Sequence, residues 1–388
     1  MAGWPALAAA AGLVAVAFMG STVITPLYVL YQRRFGFSEI TLTLVYAVYV
    51  VGNLLALMGF GRLSDQVGRR PVGLAAIAIA GLAAVLFLAA DGTAWIFGGR
   101  VLSGLAVGLA SGTGTAWLAE LFGERRRPLA TLAASCANFV GIAIGPLLTG
   151  LLAQYAPWPQ SLCYIVYLAI LVGAAVLVAL AHETVQDRAH RLGDISFRPR
   201  LGLPGKTRAQ FVAPAITAFG TFALVGFYAA LIPSILAGRL AIANRAVSGA
   251  VVCELFVVAT LAMLATRRVG SRAAMTGGLV LLLAALLLLV LAQWFASLPL
   301  LLVATAGAGL SAALGYRGSL EIINEIAPAE RRAEVVSAYY ICSFIGNSLP
   351  VIGVGVVTVL AGAMAASIAF AATIAVFAIV ALMRGARG

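Results

Sequence analysis

The sequence is poor in charge. Asp, Glu, Lys and Arg together make 10% of its 388 residues, where a soluble domain carries about 25%. It has 13 acids, two histidines and one lysine, Lys206. So little charge excludes a soluble globular enzyme, and so few polar residues exclude a disordered chain. Four cysteines, Cys136, Cys163, Cys253 and Cys342, lie far apart inside apolar runs. Without CxxC or Cys/His spacing they offer no metal site, and they read as small buried apolar residues. HExxH, GxSxG and paired membrane His/Asp are all missing, which argues against an intramembrane enzyme. Gly205-Lys206-Thr207 has the ending of a phosphate-binding loop, but Arg200 stands where its upstream glycine is required. No nucleotide or other cofactor is expected.

What is abundant is apolar surface. Residues of the set AVILMFWYC make 63% of the chain, with 42 glycines besides, and the mean hydropathy is +1.06. Runs of spanning length fall at 5–31, 40–60, 72–90, 95–119, 128–154, 160–181, 211–238, 246–266, 273–292, 298–322, 334–360 and 363–383. Twelve helices of about 20 residues use about 240, which leaves short loops and no sizeable soluble domain. The first run lacks a preceding Lys or Arg and is too long for a signal-peptide core.

The net charge is +12. The basic residues form short clusters between apolar runs, not a basic face on a folded domain, so nucleic acid is not an expected partner. Their distribution sets an orientation. With a cytoplasmic N-terminus, only Arg33, Arg34, Arg239 and Arg245 fall outside, and Arg100 and Arg317 lie within spans. The rest fall inside: Arg62, Arg69, Arg70, the run Arg125-Arg126-Arg127, the central segment, Arg267, Arg268, Arg272, Arg331, Arg332, Arg384 and Arg387. Trp95, Trp158 and Trp294 sit at the outer boundaries, where an indole bridges lipid and water. The expectation is a bacterial-type inner membrane protein with both termini cytoplasmic.

Residues 182–210 form the one long polar stretch, with His182, His190, Lys206 and Arg188, Arg191, Arg198, Arg200 and Arg208. It reads as a cytoplasmic linker between an N-terminal bundle, 1–181, and a C-terminal bundle, 211–388. The halves carry similar signals at nearly one separation: Glu124-Arg125-Arg126 against Glu330-Arg331-Arg332, and Pro26 against Pro233. Two parallel halves about an axis along the membrane normal suit a transporter with a central site.

The turn after the second span reads Gly61-Arg62-Leu63-Ser64-Asp65-Gln66-Val67-Gly68-Arg69-Arg70-Pro71. Gly68 can supply a positive φ, and Asp65 can pair with an arginine. Gly61, Asp65, Gly68, Arg69 and Arg70 fit G-x-x-x-D-x-x-G-R-[KR], and here the chain resembles the major facilitator superfamily. The resemblance extends over the chain through the twelve spans and the six-plus-six layout. It implies an all-α membrane protein whose two pseudo-symmetric six-helix halves alternate access, with this turn as a latch between states. The turn after span 8 keeps Gly270 and its arginines but has no Asp.

Span 4 carries Arg100, Gly104, Gly108 and Gly112. Glycines every fourth residue make a smooth packing face. Arg100 either snorkels outward or meets a partner inside, and its spacing to Gly104 looks like the superfamily's helix 4 arginine motif, which implies proton coupling. Span 5 carries Gly141, Gly145, Pro146 and Gly150, which resemble the antiporter motif G-x-x-x-G-P-x-x-G-G of family exporters; Thr149 and Leu132 depart from it. Ordinary small-residue packing accounts for the same pattern.

Glu254 lies in the middle of span 8 with no basic residue near it in sequence. Arg317 and Glu321 in span 10 share a helix face, as a static pair or as part of a relay. A carboxyl group whose access to water alternates can take up and release a proton, so Glu254, Glu321, Arg317 and Arg100 are the proton-coupling candidates. Thr25, Tyr28, Asn53, Thr221, Tyr228, Tyr316, Tyr340 and Asn347 are candidates for a substrate cavity, or for packing. The expected function is proton-coupled efflux of a small amphipathic organic molecule by a monomer in the bilayer. The alternatives are proton-linked uptake of a metabolite or organic anion that meets Arg100 or Arg317, and a receptor that binds without transport.

Overall fold

A computed structural model describes residues 3–61, 63–186, 202–328 and 331–385. Arg62, Glu330, Arg387 and the linker residues Arg188, His190, Arg191, Arg198 and Arg200 lie outside them. The described chain is helical: α1 Trp4–Thr22, α2 Tyr28–Phe35, α3 Glu39–Phe60, α4 Leu63–Val67, α5 Arg69–Leu88, α6 Thr93–Phe122, α7 Arg127–Tyr155 and α8 Leu162–Leu180. After the linker come α9 Arg208–Gly238, α10 Arg245–Ala265, α11 Ser271–Trp294, α12 Leu298–Ile326, α13 Arg332–Ala361 and α14 Ala363–Gly385. Twelve spans are long and apolar enough to cross a membrane, α1 and α2 together making the first. The chain is a multi-pass membrane protein. In lipid, a helix satisfies its own backbone groups, which is why these apolar runs fold this way.

Local chemistry fixes the helix ends. The Asn244 side chain accepts from the backbone N–H of Ala246 at 2.9 Å and of Val247 at 3.2 Å, capping α10. Ser297 accepts from Leu300 N–H at 3.4 Å at the start of α12. Gly123 and Gly362 end α6 and α13 with φ of 74° and 87°. The first span is not one continuous helix. It breaks after Thr22, and Thr25–Leu27 form a 3-10 turn before α2. Pro26 has no N–H to donate, so the α-helical ladder stops there.

The chain forms two compact units, Met1–Leu27 with Val48–Pro199 and Tyr28–Ala47 with Arg200–Gly388. In the first, α1 is the central helix, with Ala6, Ala9, Ala10, Leu13 and Val14 buried against its neighbours. The Tyr167 hydroxyl on α8 donates to the Val16 carbonyl at 3.0 Å. Phe87 of α5 stacks on Tyr164 of α8 with centroids 5.5 Å apart.

In the second unit α9 is the enclosed helix. Phe227 stacks on Phe370 of α14 at 4.6 Å. On α11 and α14 the buried pair Gln293 and Ser367 is satisfied by a 2.8 Å bond from the serine hydroxyl to the amide oxygen. Phe211, Ala218, Ile323, Val335 and Tyr339 close one end in an apolar cluster. The segment Tyr28–Ala47 packs within this unit: the Tyr46 hydroxyl donates to Asn347 Oδ1 at 3.1 Å.

Candidate functional site

The arginine-rich turn is the most charged part of the first unit. Gly68 stands just before α5 with φ 117° and ψ 153°, a backbone that a side chain would strain. This reversal turns Arg69 inward, where it is 5% exposed. Its Nη1 contacts Asp65 Oδ1 at 2.6 Å and donates to Ser64 Oγ at 2.6 Å. Its Nη2 and Nε reach Glu120 of α6 at 2.5 and 3.3 Å. One guanidinium therefore ties α4 to the end of α6 through two carboxylates, the fork geometry that arginine supplies and lysine does not. Gly61, at the end of α3, carries its would-be Cβ position against the Leu57 carbonyl oxygen, 2.7 Å away.

Below the same turn, Glu183 caps the start of α5. Its carboxylate accepts from the backbone N–H of Arg69 and Arg70, each at 2.9 Å, and from Thr184 and Val185 at 3.0 and 3.1 Å. The Arg70 guanidinium donates to the Ala179 carbonyl at the end of α8. Thr184 bonds Glu120, and the Trp117 indole donates to the His182 carbonyl at 3.2 Å. The segment after α8 is thereby stitched to α5 and α6. The sequence reading found Asp65, Gly68, Arg69 and Arg70 but missed Glu120 and Glu183. Their signal was scarcity: from the end of α3 to Val185 the acids at this end are only Asp65, Glu120, Glu124 and Glu183. A buried arginine there has to be met by one of them.

Arg100 of α6 is 2% exposed and points inward, so it does not snorkel to the surface. Its Nη1 donates to the Ser21 carbonyl at 2.6 Å, and its guanidinium lies 4.8 Å from the centroid of the Tyr49 ring. Ser21 belongs to the last turn of α1, whose carbonyls lose helical partners at the break before Pro26. A cation there satisfies an orphan carbonyl and meets the negative end of the helix dipole. Asn53 joins the cluster, donating to the Tyr49 hydroxyl at 3.3 Å. Helix contact is close because of the glycines. A methyl on Gly104 would overlap the Tyr49 carbonyl oxygen, and one on Gly108 would overlap Ala56. Gly112 departs from this stripe, with nothing within 4 Å of its Cβ position.

The α7 glycines serve the same end. Gly141 lies against the Ala15 carbonyl, and Gly145 against Thr22 and the Met19 carbonyl of α1. Thr22 donates back to the Ile142 carbonyl at 3.2 Å. Pro146 sits inside α7, with no break in the helix, and Gly150 is buried.

In the second unit, Glu254 Oε2 on α10 is buried and has no hydrogen-bond partner among the described residues. The Tyr228 hydroxyl of α9 is within its electrostatic reach. That tyrosine accepts from Thr305 of α12 at 3.3 Å. Three helices thus turn polar groups to one region of an otherwise apolar bundle. Arg317 and Glu321 do pair, at 3.3 Å, and the second arm of Arg317 donates to the Val269 carbonyl at 2.9 Å.

The cavity candidates divide. Thr221 is 1% exposed, its hydroxyl donates to the Thr217 carbonyl at 2.8 Å, and its methyl packs on Gly315. Thr25 and Tyr28 are each 1% exposed. Asn347 holds Tyr46. Tyr316 and Tyr340 keep half-buried rings, with hydroxyls 3.2 Å apart.

The curated relatives match over a segment. The MFS-type transporter paaT of Penicillium rubens is 32% identical over 130 residues, 32% of this chain and 23% of that protein. The multidrug resistance protein MdtL of Klebsiella pneumoniae is 28% identical over 145 residues, 37% of this chain and 36% of its own length. MdtL of Escherichia coli is 29% identical over 141 residues, 36% and 35%. The chain therefore spans about a third or less of the length of these relatives. A bacterial homolog of the human lysosomal transporter Spinster, solved inward-facing and unoccupied, shares the fold with a TM-score of 0.75 at 16% identity, covering 98% of this chain and 97% of that one. The family model described as Major Facilitator Superfamily matches residues 10–349, and the chain belongs to the Major Facilitator Superfamily, a family of membrane transporters rather than enzymes.

Proposed function

We propose that this protein exports a small amphipathic organic molecule by alternating access, driven by protons entering in exchange. The observation that carries the reading is Glu254: a membrane carboxyl group whose buried Oε2 has no hydrogen-bond partner among the described residues, with the Tyr228–Thr305 pair nearby. An acid so placed is expensive in a bilayer and is functional by default. Its position on α10, facing groups of α9 and α12, lets a change of protonation be felt by three spans. Glu321 is the second proton candidate, restrained by Arg317.

The turn from Gly61 to Arg70 acts as the latch. Arg69, Asp65 and Glu120 form a charge cluster that holds one state and opens in the other, with Gly68 setting the backbone. The close α1–α7 contact at Gly141 and Gly145 provides a rigid seam. Export is supported by the names of the MdtL relatives, and the arginine distribution supports a bacterial-type inner membrane with the termini and the latch on the cytoplasmic side. A six-plus-six chain holds a whole transport path in one copy, so a monomer suffices. Uptake of an organic anion has less support, because Arg100 is held by the Ser21 carbonyl and the Tyr49 ring, and Arg317 by Glu321 and the Val269 carbonyl.

The test is proton flux in liposomes holding a pH-sensitive dye, with purified wild-type protein and Glu254→Gln. Adding an amphipathic cation inside should drive protons inward in the wild type and not in the variant. Flux of the opposite sign would show uptake, saturable binding without flux would show a receptor, and unchanged flux in Glu254→Gln would remove this acid from the mechanism.

A further inference from the structure

Thr305 of α12 holds one hydroxyl proton and has two acceptors in reach. Its Oγ1 lies 2.7 Å from the Leu301 carbonyl, one turn back on the same helix, and 3.3 Å from the Tyr228 hydroxyl of α9. Tyr228 likewise holds one proton, and its oxygen can also accept. Both side chains are fully buried, where an idle hydroxyl proton is costly. Two bonding orders are therefore open. Thr305 can donate to Tyr228, which frees the Tyr228 proton for another acceptor. Or Thr305 can donate to the Leu301 carbonyl and Tyr228 to Thr305, which leaves the Tyr228 oxygen to accept.

Close packing brings Glu254 to the same level. A methyl on Gly309 of α12 would overlap the Leu255 carbonyl of α10 and crowd Val258. One span separates α10 from α12, so the two run in the same direction. Thr305, one turn before Gly309, is therefore level with the turn of α10 that ends at Glu254. The carboxyl is within electrostatic reach of the Tyr228 hydroxyl, and its buried Oε2 has no hydrogen-bond partner among the described residues. In this unit α10 packs on α9 and α12. Tyr228 is the titratable side chain that α9 presents here, and α12 presents none at this level. Arg317, the charged residue of α12 closest to Thr305, lies about 18 Å further along the helix. On α10 itself, Cys253 is adjacent and Arg245 is about 14 Å away along the axis.

We infer that Tyr228 and Thr305 are positioning residues for Glu254, a two-hydroxyl relay whose donor direction reverses when the carboxyl gains or loses its proton. This deepens the proton-coupling role proposed above and rests on that reading. With Glu254 charged, Thr305 donates to Tyr228, and Tyr228 donates to the carboxylate. With Glu254 neutral, its O–H donates to the Tyr228 oxygen, Tyr228 donates to Thr305, and Thr305 donates to the Leu301 carbonyl. The transported proton enters and leaves at the carboxyl group alone. The two hydroxyl protons stay on their own oxygens and turn. Each protonation state is thus satisfied without a basic partner, and each is registered by three helices through a different set of bonds. The Leu301 carbonyl is the terminus that makes the second order possible.

The test titrates Glu254 in the purified full-length protein in detergent, with no proton gradient and no substrate. Dicyclohexylcarbodiimide labels a carboxyl group in its protonated form, and peptide mass spectrometry identifies the labelled residue, with Glu254→Gln as the blank. The infrared band of the protonated carboxyl follows the same titration without a reagent. Tyr228→Phe removes the donor to the carboxylate, and a bond to a charged group outweighs one to a neutral group, so the midpoint should rise by about one pH unit, a tenfold change. Thr305→Val keeps that donor but strands the Tyr228 proton when Glu254 is neutral, so its midpoint should fall by about half a unit. Thr305→Ser keeps the hydroxyl and should titrate as the wild type does, which separates loss of the bond from loss of the fold. An unmoved midpoint in Tyr228→Phe, shifts of one sign in both variants, or no protonated Glu254 in the wild type between about pH 5 and about pH 9 would overturn the relay. Shifts of opposite sign with no proton flux in liposomes would overturn the exporter and leave the relay standing; coupled flux that Glu254→Gln abolishes, with unmoved midpoints, would do the reverse.

Discussion

Replacing Glu183 with Gln should loosen the start of α5 and leave the remainder of the fold in place. The carboxylate accepts four backbone N–H groups, with Oε1 taking those of Arg69, Thr184 and Val185 and Oε2 that of Arg70. An amide keeps one acceptor and turns an NH2 group toward a donor. It also removes a negative charge from a helix N-terminus. A hydrogen bond to a charged group contributes about 1.5–3 kcal/mol, and the helix-end charge about 0.3–1 kcal/mol. These contributions overlap, so a total near 2–4 kcal/mol is expected. At tenfold per 1.4 kcal/mol, local opening should rise about 30- to 700-fold. Hydrogen exchange followed by mass spectrometry reads this directly in peptides covering Gly68 to Val72, compared with peptides from α9. Unchanged exchange at α5 would refute the cap. Exchange that rises equally in α9 would show general destabilisation and refute its local character. Glu120→Gln provides the contrast: it weakens the hold on the Arg69 guanidinium but leaves both backbone N–H groups bonded to Glu183, so α5 should remain protected.

Arg100→Met should lower the melting temperature of the purified protein, since it orphans the Ser21 carbonyl at a cost of about 1–3 kcal/mol; an unchanged melting curve would mean that this carbonyl finds another donor. Gly145→Val should destabilise the α1–α7 seam by about 1–3 kcal/mol through overlap with Thr22 and the Met19 carbonyl, whereas Gly112→Ala, with open space at its Cβ position, should be neutral in the same thermal assay. Thr221→Val should change transport of any substrate less than twofold, because the hydroxyl it loses serves its own helix; a tenfold loss would place Thr221 in the cavity. Tyr46→Phe should lower the melting temperature, since it orphans the buried Asn347 Oδ1 at a cost of about 1–3 kcal/mol; an unchanged melting curve would mean that the amide oxygen finds another donor.

The spans were legible because the bilayer asks little of a sequence: about 20 apolar residues and no exposed backbone groups. The turn at Gly68 was legible for a different reason. Its residues are close in sequence, and a glycine with φ 117° next to two arginines leaves a local pattern. Arg100 was visible as an expense without a visible partner. Its acceptor is a backbone carbonyl, freed by a proline in another span, and a carbonyl has no letter in the sequence. Glu120 and Glu183 were hidden because their partner, Arg69, is distant in the chain.

The two units also answer the same physical problem with opposite polarity. In the first, the turn before α5 supplies the arginine, and α6 supplies the acid, Glu120. In the second, the turn before α11 supplies acceptor and hydroxyl groups, and α12 supplies the charge. Arg317 donates to the Val269 carbonyl, and Ser271 donates to Glu325 at 3.1 Å. The missing Asp after span 8 is therefore no simple gap. The bonded arginine here is Arg317 on the neighbouring helix, where Glu321 one turn later keeps it in place. A hydrogen bond to a neutral carbonyl is weaker than the bond of a guanidinium to two carboxylates. The second turn is thus the weaker clasp between its helices, and the stronger one lies in the first unit, at Arg69.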